Sequence, residues 1–172
     1  MSDSVVENLK HDPNEGTINY KDIRYCLMRP ETIGELYRQI EERHGDSCRG
    51  VFFQAGYRGV SLSMQAYAKA GMLPPGEELL AFMAKMAGQV GWGKVENISL
   101  DNHHRKIVFE VRNSVFAQDH TGREHPVCDS IRGAFTAIAE AVWLTPASAE
   151  EVACTAMGHD RCRFVITAGE KR

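Results

Sequence analysis

Apolar side chains recur along this chain at two periods, and the change from one to the other predicts the order of its elements. Residues 18–28 read as a strand. Ile33, Leu36, Tyr37 and Ile40 then return at helical spacing, predicting a helix over 30–44 that Pro30-Glu31 starts and Gly45 stops. A second helix is expected over 48–70, with Val51, Phe52, Ala55, Leu62 and Ala66 among its apolar positions. Gly56 and Gly59 give it a small-residue face. Mid-helix glycine costs about 1 kcal/mol against alanine, so a close neighbour is expected there. Pro74-Pro75-Gly76 ends that stretch, and 77–90 carries Leu80, Met83 and Met86 at helical spacing before Gly91-Trp92-Gly93 breaks it.

The period then becomes two. Residues 95–101 and 106–113 predict a β-hairpin turning at 102–105, and 114–126 reads as a loop. Val127, Ile131, Ala134, Phe135, Ile138 and Val142 restore helical spacing up to Thr145-Pro146. A last pair of short strands, 151–155 and 162–167, flanks the turn 157–161. Helices grouped apart from hairpin-joined strands indicate an α+β fold, an antiparallel sheet with a helical layer. Residues 1–16 are polar and turn-rich and are expected to form a mobile tail, leaving 17–172 as a single ligand-binding domain with its chemistry in the C-terminal part.

Composition narrows the function classes. A net charge of -3 over 172 residues, 25% of them charged, offers no electrostatic footprint for nucleic acid, so no direct nucleic-acid binding is expected. The first ten residues lack a secretory pattern and no apolar run is long enough for a membrane span, so the expected location is cytoplasmic. Five cysteines in a reducing compartment make a poor disulfide framework, being odd in number.

Three of the five crowd the end of the chain. Cys154 and Cys162 lie on the two arms of the terminal hairpin, Cys128 begins the preceding helix, and Glu151 stands three residues before Cys154. Three thiolates and a carboxylate would close a tetrahedral metal site with no open position, the mark of a structural rather than a catalytic zinc. Spacing leaves alternatives open. His125 or His159 would serve in place of Glu151, and buried cysteines also act as small hydrophobes. Arg161 and Arg163 flank Cys162 and could offset the excess negative charge.

These same residues carry a resemblance. Pro126-Val127-Cys128, Gly133, Glu150-Glu151-Val152-Ala153-Cys154 and Gly158-His159-Asp160-Arg161-Cys162-Arg163-Phe164 resemble the 4-vinyl-reductase (4VR) domain family, which includes sensor domains of phenol- and toluene-responsive activators. Phe52-Phe53-Gln54-Ala55-Gly56-Tyr57-Arg58-Gly59 is similar to a helix of those sensors. The resemblance implies structural zinc on Cys128, Glu151, Cys154 and Cys162, and a homodimer. The implied fold is similar to the ligand-binding fold of NO-signalling and Golgi-transport proteins, with an apolar pocket.

The expected function is a zinc-containing small-molecule sensor or carrier domain for a hydrophobic ligand, whether aromatic, hydrocarbon or tetrapyrrole-like. Phe52, Met83, Trp92, Phe109, Val111 and Phe135 are the expected pocket residues. Phenol sensors anchor the phenolic hydroxyl with a histidine and a tryptophan, and Gly88 and Val111 fall at those places here. A larger or less polar ligand is therefore expected. The activators continue into ATP-driven and DNA-binding domains, whereas this sequence ends at Arg172, so a separate protein partner for signalling is expected. The competing classes are a reductase acting on a tetrapyrrole vinyl group, for which no Gly-x-Gly-x-x-Gly turn is present, and an interaction scaffold without a cavity.

Overall fold

A computed structural model describes residues 4–169. The chain opens with a three-stranded antiparallel sheet, β1 (Lys10–Asp12), β2 (Thr17–Tyr20) and β3 (Ile23–Tyr25). The sequence pattern merges the last two into one strand because Ile18 and Tyr20 are followed by Ile23 and Tyr25, and the alternation runs on across the turn. Tyr20 pairs with Ile23 around a two-residue loop whose Lys21 has φ 53°. Such turns favour glycine, and none marks this one.

Within the segment expected as a tail, β1 pairs with β2, Lys10 opposite Asn19. Val5 is 1% exposed, its N–H donating to Gln89 Oε1 at 3.0 Å. Strand pairing uses backbone groups and needs little apolar content, the signal on which the tail expectation relied. Residues 1–3 of that segment lie outside the described residues.

Three helices follow, α1 (Pro30–His44), α2 (Cys48–Lys69) and α3 (Glu78–Gln89), near their expected bounds. The hairpin β4 (Lys94–Asp101) and β5 (Lys106–Arg112) leads to α4 (Asp129–Trp143), β6 (Ala147–Ala153) and β7 (Cys162–Ala168). The second sheet runs β4-β5-β7-β6, antiparallel throughout. Strand β6 starts at Ala147 rather than Glu151. It is an edge strand, and its first half, Ala-Ser-Ala-Glu, has no bulky side chain to reveal alternation.

The register stacks Ile107 on Ile166, Phe109 on Phe164 and Val111 on Cys162, all six buried on the inner face of the sheet. Helix α4 packs between this face and α2 and is buried at every position from Asp129 to Ala139 except Arg132. Its approach to α2 is set by two glycines. A Cβ on Gly56 would lie 1.9 Å from the Ser130 carbonyl oxygen, and one on Gly133 would lie 2.0 Å from that of Phe53. Gly59, expected to share this contact, faces open space.

These two kinds of glycine respond oppositely to the same substitution. Gly133→Ala would force the helix backbones apart and is expected to destabilise the fold by about 3 kcal/mol. Gly59→Ala meets nothing and is expected to stabilise it by about 0.5–1 kcal/mol. Urea denaturation of the two variants beside the parent protein checks both signs.

Candidate metal centre and ligand cavity

The terminal hairpin owes its chemistry to a bulge. A regular strand alternates faces, so residues three apart point to opposite sides. On β6, Glu151 pairs with Phe164 and Ala153 pairs with Arg163, leaving Val152 as the extra residue. The inserted residue inverts the alternation, so Glu151 and Cys154 are both buried while Val152 is 47% exposed. Cys162, first in β7, shares the inner face with Phe164 and Ile166. Cys128 arrives from the other side as the residue that caps the N-terminus of α4.

The three sulfurs form a near-regular triangle. Cys128 Sγ lies 3.6 Å from Cys162 Sγ and 3.9 Å from Cys154 Sγ, and Cys154 and Cys162 are 3.9 Å apart. One Glu151 carboxylate oxygen accepts the Cys128 backbone N–H at 3.0 Å, whereas Oε1 is buried with no hydrogen-bond partner among the described residues. One ligand atom from each of the four residues lies within 4.8 Å of the others. Four buried electron-pair donors at this separation can hold a metal ion.

Without a cation the cluster is electrostatically frustrated. Burial pushes the Glu151 carboxyl up to about 9, with the Cys154 thiol adding to the effect. Hydrogen bonds with Cys154 and Cys162 raise the Cys128 thiol well above its ordinary value, while hydrogen bonds from Cys128 and Cys154 lower Cys162 to about 4. The group settles on one thiolate and retains protons on its other members, the expected response of crowded anions in a dry site.

A cavity of about 330 Å³ opens alongside. Met83, Met86 and Val90 of α3, Val60 and Tyr67 of α2, and Ile131, Ala134, Phe135 and Ile138 of α4 form its walls. Trp92, Val95, Val111 and the N-terminal sheet at Ile23 and Tyr25 complete it.

Residues 107–168 match the 4-vinyl-reductase (4VR) domain. All four members of the Cys/Glu cluster fall inside the 4VR region. No curated protein sequence matches the chain. Among solved structures, the phenol-responsive sensory domain of the transcription activator PoxR, determined with phenol, is 19% identical, with a TM-score of 0.78 over 95% of this chain and 86% of that one. A trafficking protein particle complex subunit 3 from Naegleria fowleri, covalently bound to palmitic acid, is 15% identical, with a TM-score of 0.65 over 82% of this chain and 93% of its own. An H-NOX protein from S. oneidensis in an Fe(II)NO state is 11% identical, with a TM-score of 0.58 over 87% and 83%. At these identities the likeness is one of fold, an α+β domain shared with ligand-binding proteins.

Outside the 4VR cluster, the alternative ligands have other partners. His125 Nε2 lies 3.5 Å from Glu41 on α1, and His159 is exposed, its Nδ1 3.1 Å from the Cys154 carbonyl oxygen. Arg161 and Arg163 do not serve the sulfurs. Arg161 bonds to Asp160, Glu110 and Glu96, and Arg163 lies on the outer face near Glu110, because their positions alternate with the inward Cys162. The donors facing the cluster are ones that spacing does not reveal: the Thr155 N–H, 3.4 Å from Cys162 Sγ, and the Ser114 hydroxyl, 3.2 Å from Cys128 Sγ. Asp129, 1% exposed beside Cys128, is held by Arg49 at 3.2 Å and Arg132 at 2.8 Å.

Of the expected pocket residues, Met83, Trp92, Val111 and Phe135 line the 4VR cavity. Phe109 lies behind Phe135, stacked on it at 3.9 Å between ring centroids, and Phe52 stacks on Tyr37 instead. Gly88 also lies away from the cavity, near Gly93.

Of the five cysteines, Cys26 is exposed and the other four are buried. A thiol-reactive dye is therefore expected to modify one cysteine per chain rapidly in the folded protein and all five after denaturation under chelating conditions. Peptide mapping should place the fast site at Cys26.

Proposed function

We propose that this chain is a sensor or carrier domain that binds a small hydrophobic ligand in its cavity and carries one structural zinc on Cys128, Glu151, Cys154 and Cys162. The sulfur triangle is the observation that supports the metal. Zinc–sulfur bonds of about 2.3 Å in a tetrahedron separate the sulfurs by about 3.8 Å, and the spacings here are 3.6–3.9 Å. A disulfide would require about 2.05 Å. The partnerless Glu151 Oε1 supplies the fourth donor. Zinc bound there ties the start of α4 to both arms of the hairpin, so its binding energy is also folding energy. Four ligands leave no coordination position open for a reactant. Reduced thiols of this kind suit the cytoplasm.

For the ligand, the support is the position of the cavity on α4. Ile131, Ala134, Phe135 and Ile138 reach it from the helix that begins at Cys128. Its volume of about 330 Å³ is roughly twice the 150 Å³ that an apolar cavity needs to take benzene, which favours a ligand larger than phenol. The cavity also weighs against a solid scaffold. PoxR with phenol and the palmitate-bound trafficking subunit lend the reading further support. The domain spans 17–172, acts as a homodimer by the family resemblance, and signals through a separate protein partner.

Native mass spectrometry is expected to report one zinc per chain and a dimer. Cys154→Ser should lose the zinc and lower the melting temperature, and a chelator should reproduce that loss in the parent protein. A metal-free protein of unchanged stability would refute the clamp. Zinc affinity should rise with pH. Glu151, raised to about 9, and Cys128, raised further, are protonated at neutral pH in the metal-free cluster and must release two protons. The apparent affinity is expected to increase about 100-fold per unit between pH 6 and 8, measured by competition with a chromophoric chelator. Calorimetry should show bulkier aromatics binding more tightly than phenol, and preference for phenol would reverse the ligand assignment. Reduction of a vinyl tetrapyrrole by nicotinamide would favour the enzyme reading.

A further inference from the structure

We propose that the paired hydroxyls of Tyr25 and Tyr67 are the polar anchor of the cavity, and that its ligand is a neutral, mostly apolar molecule bearing one hydrogen-bond-accepting oxygen of the ketone or aldehyde class. The inference rests on the ligand-binding reading above and specifies the chemistry of the same cavity.

Tyr67, near the end of α2, is 5% exposed, and Tyr25 belongs to β3; both line the cavity. Their hydroxyl oxygens lie 2.9 Å apart. Two hydroxyls carry two protons, and the bond between them uses one. No second acceptor for the pair exists among the described residues, so one O–H remains without a partner at the cavity wall. A buried donor left unmade costs more than a typical hydrogen bond contributes, and an incoming oxygen lone pair removes that cost.

The neighbouring side chains restrict the choice. Ser63 does not compete, because its hydroxyl donates to the Gly59 carbonyl at 2.9 Å. Arg24 is the only cationic residue lining the cavity, and it is exposed on the outer side of β3, so no buried charge awaits a carboxylate. Burial also pushes the Tyr67 phenol above its ordinary range, which keeps the pair neutral. A pure hydrocarbon would fill the volume but leave the O–H stranded. The polar contact absent at Gly88 and Val111 is thus supplied from α2 and the N-terminal sheet.

Calorimetry with indane, 1-indanone and indane-1-carboxylate isolates the anchor, since the three share one bicyclic frame. The parent protein is expected to bind 1-indanone about 3- to 10-fold more tightly than indane and to bind the carboxylate least. The carbonyl stretch of bound 1-indanone should move to lower wavenumber than in hydrocarbon solvent. The Y25F/Y67F variant should lose the preference and the shift while still binding indane. Equal affinity for indane and 1-indanone, an unshifted carbonyl or tightest binding of the carboxylate would overturn the anchor and leave the pocket reading intact. A shift that survives in the variant would assign the donor elsewhere, to the Trp92 indole, and also overturn it. Failure of all three probes to bind would overturn the pocket reading and the anchor with it. The infrared measurement on parent protein decides the question even if the variant does not fold.

Discussion

The close crossing of α4 over α2 is the constraint on which the rest of the molecule depends. Gly56 and Gly133 let each helix seat a carbonyl oxygen where the other would otherwise carry a methyl group. That approach leaves α4 with packed neighbours on both sides, α2 above and the β5–β7 face below. A helix so enclosed has a defined position, and this one places Cys128 at its start against the hairpin and Phe135 farther along in the cavity. Metal cluster and cavity are thus two addresses on one rigid element.

The cluster adds a second constraint of its own. Three sulfurs and a carboxylate brought together in a dry interior repel one another, which the fold tolerates by retaining protons and by aiming the Cys128 and Thr155 amides at the cluster. Asp129, one residue on, is a buried anion neutralised by Arg49 and Arg132. The polarity of this end of α4 contrasts with the apolar walls that its later turns give the cavity.

Much of this was legible in the sequence, for identifiable reasons. Helices α1 to α3 and the β4–β5 hairpin are long enough for periodicity to show, and glycine or proline ends most of them. The cysteine cluster was legible because hairpin arms bring residues such as Cys154 and Cys162 together whatever the rest of the fold does. The turn at Lys21 was hidden because apolar alternation continued across it with no glycine to interrupt. The start of β6 was hidden because alanine and serine carry no strand signature. Sequence could nominate Phe52 and Phe109 as bulky and apolar, but whether such a ring lines a cavity or stacks behind another is decided by packing. The Tyr25–Tyr67 contact joins residues from different elements with no shared pattern, and the outward turn of Arg161 and Arg163 follows from strand parity that only the register fixes.

The bulge at Val152 has a bearing on association as well as on the metal cluster. Strands β4 and β6 are the two edges of the main sheet, and each contains an irregularity, at Val95/Asn97 and at Glu151/Ala153. An edge strand with an unbroken row of free amides and carbonyls invites another chain to extend the sheet. Here both rows are interrupted, and Lys94, Glu96 and Glu150 add charge along them. The residue that turns Glu151 and Cys154 to the same side therefore also blunts the sheet against unwanted strand addition, leaving the helices as the surface by which another copy can approach without extending β structure.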